Sequence, residues 1–138
     1  MRRLDRRLTF ATLAGVLLLA LSACAGRPEL EELHARVVPS APLEIGSDAE
    51  LRVSLEGPTN GQRQTIAESR YSRIGSGPIE VVLRYDVRAL ASSSEYLLRA
   101  ELRDEGRITH VNREPVTLTG AQATSSRIFE IPLEPRLP

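Results

Sequence analysis

The stretch Tyr96-Leu97-Leu98-Arg99-Ala100-Glu101-Leu102-Arg103 decides the fold class of this 138-residue chain. Tyr96, Leu98, Ala100 and Leu102 fall on one parity, Arg99, Glu101 and Arg103 on the other. That period of two is the mark of a strand with one face in a core and one in water. Just downstream, Asp104-Glu105-Gly106-Arg107 has the chemistry of a hairpin turn leading into Ile108-Thr109-His110-Val111. Upstream, Ile79, Val81, Leu83 and Tyr85 alternate with Glu80, Arg84 and Asp86, and Leu51, Val53 and Leu55 alternate with Arg52, Ser54 and Glu56. A weaker strand over about 65–69 lies between them, after Gly57-Pro58-Thr59-Asn60-Gly61, which reads as a turn. Val116-Thr117-Leu118-Thr119 and the segment 128–133 complete the set, with Pro132 pointing to an edge position for the last strand. Short strands at this spacing predict an all-β fold, a small β-sandwich of seven to eight mostly antiparallel strands over residues 43–138. Its core is expected to hold Leu83, Tyr85, Tyr96 and Leu98.

Ahead of this domain, residues 24–42 read as a tether. Pro28 followed by Glu29, Glu31 and Glu32 suits the start of a helix, and Leu30, Leu33 and Val37 would share a helical face. A helix so short is marginal, and Pro39 and Pro42 interrupt the chain. A frayed helix or coil running into a short strand is favoured, with an irregular edge strand around 36–38 as the alternative.

The first 23 residues have the three parts of an export signal. Arg2, Arg3, Arg6 and Arg7 form a basic head, residues 9–20 an apolar run, and Ser22 and Ala23 a small-residue cleavage site. The run falls short of the roughly 20 apolar residues a membrane span requires. Leu21-Ser22-Ala23-Cys24 resembles a lipobox, in which Leu21, Ser22 and Ala23 are read by the signal peptidase and Cys24 becomes the lipidated first residue. Cys24 is the only cysteine, so no disulfide forms within the chain, and acylation explains an otherwise unpaired thiol in an exported protein. Ala25 follows where an aspartate would signal inner-membrane retention, so the expected location is the outer membrane, with the domain facing the periplasm.

Without residues 1–23, the chain holds 14 basic and 17 acidic residues, a net charge of −3. Such a balance argues against nucleic-acid binding, which shows as a basic excess.

The order of these segments resembles the YbaY/YscW family of lipoproteins. The likeness lies in Asp48-Ala49-Glu50-Leu51-Arg52-Val53-Ser54-Leu55, in Pro78-Ile79-Glu80-Val81-Val82-Leu83-Arg84-Tyr85-Asp86, in the 96–102 strand with Gly106-Arg107-Ile108, and in Val116-Thr117-Leu118-Thr119-Gly120. It spans roughly residues 35–134 and departs in the apolar-poor segment 57–75 and in the charged Asn112-Arg113-Glu114. The resemblance implies a lipid-anchored periplasmic β-sandwich. Some members act as pilotins, small chaperones that deliver or stabilise secretin subunits of type III secretion systems. Others are general envelope lipoproteins.

Catalytic readings find little support. His34 and His110 fall short of the three or four converging ligands of a metal site. Ser92-Ser93-Ser94 lacks a glycine-flanked elbow, and Gly75-Ser76-Gly77 lacks the lysine of a phosphate loop. Glu101, Asp104 and Glu105 surround an exposed turn. The chain reads as a non-enzyme with no cofactor, metal or small-molecule substrate. Its expected partners are the membrane, through lipid on Cys24, and an envelope protein such as a secretin; the alternative is a structural or protective envelope lipoprotein with no dedicated client. Val82 and Leu97 break the alternation of the two clearest strands. If those strands were neighbours, the two side chains would form an outward apolar patch beside an open strand edge, a docking surface for strand addition.

Overall fold

The computed structural model describes residues 26–138. The eight strands are β1 (Leu30–Pro39), β2 (Glu50–Thr59), β3 (Gln62–Ser72), β4 (Ile79–Asp86), β5 (Glu95–Asp104), β6 (Arg107–Val111), β7 (Val116–Thr119) and β8 (Ile128–Pro135), with a one-turn helix α1 (Gly120–Ala123) before the last. They form one sheet in the order β3-β2-β5-β6-β8-β1-β4, with β7 also paired to β5. All pairings are antiparallel except β1 with β8. The sheet folds over on itself into two layers, β4-β1-β8 and β3-β2-β5-β6, joined through the short β6–β8 ladder at His110 and Val111. The all-β sandwich read from the alternation is the fold, in the form of a barrel left open along one seam.

Between the layers the inward parities meet. Leu33, Val37, Leu83, Tyr85, Ile131 and Leu133 from one side pack with Leu51, Leu55, Tyr96, Leu98, Leu102 and Leu118 from the other, each no more than 2% exposed. The four side chains expected in the core are all there. Turn chemistry also holds: Asn60-Gly61 and Glu105-Gly106 each take two successive positive φ values (52° and 79°; 50° and 73°). That is the type I′ geometry whose twist suits a two-residue hairpin.

Three expectations change. Residues 30–39 are neither helix nor tether: they form β1, flanked by β4 and β8, with Leu33, Ala35 and Val37 fully buried. Burial on alternate residues outweighs the helical start signals, because β1 completes two ladders while an isolated helix there would complete none. Gly57 and Pro58 belong to β2 rather than to a turn. A Cβ at Gly57 would collide with the Tyr96 ring, so glycine is what lets that ring lie against the strand. Lastly, β8 is interior in the strand order rather than an edge. Pro132 is tolerated because β6 pairs with β8 only at Glu134 and Pro135, so no ladder bond is missing at its nitrogen.

Candidate functional site: the open seam

Around the sheet, β3 and β4 are the two ends, and they face each other without a backbone ladder. Side chains bridge the gap. Ser69 Oγ donates to the Val82 carbonyl at 2.6 Å; the Tyr71 hydroxyl accepts from the Val82 N–H at 2.7 Å and lies 3.1 Å from the same carbonyl. Ala67, Ser69 and Tyr71 share the inward parity of β3, which passes from buried alanine to half-buried hydroxyls as it reaches the seam. Hydroxyls fit here because one O–H group both donates and accepts. Val82 is thereby satisfied by groups that a competing backbone could replace.

Since the Val82 N–H faces Tyr71, it points away from β1. By the alternation of an antiparallel pair, the N–H groups of Glu80 and Arg84 point the same way. A shallow cavity of about 510 Å³ follows this line, bordered by Glu32, Glu68, Ser69, Val82 and Arg84. Its rim is charged and paired: Arg84 with Glu32 at 2.9 Å, Arg36 with Glu80 at 2.6 Å, and Glu68 with both Arg52 and Arg70 at 2.7 Å. Hydrogen bonding from Arg70 and Arg52 holds the Glu68 carboxyl below its ordinary pKa, and the Glu80 carboxylate raises Arg36. Paired charges along a sheet edge discourage indiscriminate strand pairing.

The residues singled out in the sequence fall as follows. Val82 lies on the seam, half-buried, with its side chain outward. Leu97 is also half-buried and outward, but on β5, opposite Glu56 and Thr117. Strands β6, β8 and β1 separate the two residues along the sheet, and β2 and β3 by way of the seam, and they face away from each other on opposite layers. They form no common patch. His34 is exposed on β1 near Glu32, His110 sits on β6, and Ser92-Ser93-Ser94 is a loop. Among the described residues, no three potential metal ligands cluster. Cys24 and the Leu21-Ser22-Ala23 segment lie outside the described residues. Ser69 and Tyr71 were not foreseen; the signal for them was a pair of hydroxyl residues on the inward parity of a weak strand.

Comparison with solved structures finds an alternative pilotin from the type II secretion system of Vibrio cholerae, with a TM-score of 0.67 at 18% identity, covering 80% of this chain and 100% of that one. At that identity the likeness is one of fold. No curated protein sequence matches the chain. Comparison with protein families matches residues 30–128, from the first described strand to the start of the last, to YscW, the type III secretion system lipoprotein chaperone. The chain belongs to the YscW family.

Proposed function

We propose that this protein is a pilotin-like chaperone of the cell envelope, held at the outer membrane by lipid on Cys24. It binds an extended segment of a client, such as a secretin subunit, at the β3–β4 seam. One observation carries the docking site: the sheet is unclosed there, and among the described residues the hydrogen bonds across it are those of the Ser69 and Tyr71 hydroxyls with Val82. A client strand that displaces them gains main-chain hydrogen bonds to β4 while its outward side chains meet the charged rim. Family membership and the pilotin fold support the client class. The lipobox-like Leu21-Ser22-Ala23-Cys24 supports the anchor.

Arg84 separates backbone docking from side-chain docking. Arg84→Ala removes the pair with Glu32 and keeps the N–H; Arg84→Pro removes the N–H as well, on the side of β4 away from β1, where proline is tolerated. Both variants are expected to fold. Crosslinking to a co-expressed secretin should survive Arg84→Ala and be lost in Arg84→Pro. Equal capture by both variants would move the site elsewhere. Intact mass of the purified protein tests the anchor: an unacylated chain, or one cut elsewhere than before Cys24, would refute it.

A further inference from the structure

One end of the barrel gathers the start of β1 and two loops of unusual composition. The Glu29 carbonyl accepts from the Val87 N–H at 2.9 Å, joining the entering chain to loop 87–94. That loop is joined in turn to loop 120–127, through Gly120 N–H to the Ser94 carbonyl and Ala121 N–H to the Ser92 carbonyl, both at 3.2 Å. The two loops read Val87-Arg88-Ala89-Leu90-Ala91-Ser92-Ser93-Ser94 and Gly120-Ala121-Gln122-Ala123-Thr124-Ser125-Ser126-Arg127, and contain no carboxylate. Together with segment 26–29 and the strand ends that bound them, they hold Arg27, Arg88 and Arg127 beside Glu29, Asp86 and Glu95. Arg88 is tied to Asp86 at 2.8 and 3.1 Å, Arg127 stacks over the Phe129 ring at 5.4 Å, and Arg27 is exposed. Two of the three large apolar side chains most exposed among the described residues, Leu30 at 63% and Ile128 at 49%, begin the neighbouring strands β1 and β8, with Ile128 opposite His34 and so set back along β1 from Leu30. The opposite end carries Glu44, Asp48, Asp104 and Glu105 with Arg73, Arg107 and Arg136.

We propose that this end is a membrane-docking surface for anionic lipid headgroups, with Arg27 and Arg127 drawn to the phosphates and Leu30 and Ile128 resting at the interface. The inference rests on acylation of Cys24. Residues 24–29 then separate lipid from strand, at most about 20 Å of extended chain, so this end is the one delivered to the surface. Isolated exposed apolar residues are common; here their position beside the anchor gives them a partner. Acyl chains combined with basic residues are also the pairing that makes surface attachment stable.

The test uses the full acylated protein in vesicles containing phosphatidylglycerol and headgroup-nitroxide lipid. A fluorophore is placed on Ser93→Cys at the docking end or on Ser47→Cys at the far end. Quenching should be severalfold stronger at position 93. The difference should shrink in Arg27→Gln/Arg127→Gln, and at about 1 M salt, where the screening length is about 3 Å. An acylated protein whose two labels quench equally, or whose difference ignores both charge and salt, overturns the docking end and leaves the anchor standing. A chain without acyl groups that fails to float with the vesicles overturns the anchor and, with it, the docking end.

Discussion

Tyr85 puts a phenol into the core whose oxygen has no hydrogen-bond partner among the described residues, while the residue is only 2% exposed. A buried hydroxyl left unpaired costs about 1–3 kcal/mol. Tyr85→Phe keeps the ring and removes that cost, so it should raise the urea midpoint, with a gain on the order of 1 kcal/mol. Burial, with a smaller push from the Glu31 carboxylate, also raises the Tyr85 pKa. The neutral phenol is therefore the native form: its contribution is intact below the ordinary tyrosine value of about 10 and is lost as pH rises through the raised one. An alkaline stability profile should be flatter in Tyr85→Phe than in the wild type. The inward position of Tyr85 was legible from its parity with Val81 and Leu83. Its lack of a partner was not, because that depends on which strands lie across the core. Tyr96 shows the contrast, since its hydroxyl accepts from the Ala91 N–H at 2.7 Å, a bond made across a loop.

At the scale of elements, the strands with one dry and one wet face announced themselves, and two others did so only in part. β1 hid because Leu30, Leu33 and Val37 also fit a helical face, and Pro28 with its glutamates looks like a helix start. β3 showed only over about 65–69, because its opening residues 62–64 are exposed on both parities, as happens at the end of a sheet. That the seam falls between β3 and β4 follows from strand order, which local pattern does not encode. The closure itself is testable. Tyr71→Phe deletes the acceptor of the Val82 N–H and one donor to its carbonyl. Amide exchange at Val82 should accelerate well beyond that at Leu83, which faces β1. The loss in global stability should stay near 1 kcal/mol, as for one ordinary hydrogen bond. Uniform acceleration along β4 would mean that the seam is no separate opening unit.

Across the whole molecule, the outer surface is quilted with arginine–carboxylate pairs, and acid should loosen it. Hydrogen bonding from Arg70 lowers the pKa of Glu68, and that from Arg88 lowers Asp86. Depressed carboxylates stabilise the native state above their unfolded pKa, about 4, and lose that contribution as pH falls through the folded values. Denaturation midpoints should therefore drop below about pH 4, modestly because exposed pairs are weak. The drop should be smaller in Arg70→Gln/Arg88→Gln. The global arrangement was the part least written in local sequence: nothing in either segment announces that β1 pairs in parallel with β8 across most of the chain. That pairing has a mechanical meaning. If the chain is pulled from its N-terminal side, force enters at Leu30 and runs along the axis of β1. The hydrogen bonds to β4 and β8 lie across that axis on both sides. They share the load in shear instead of opening one after another, so a pull from the N-terminal side meets the whole length of both ladders at once.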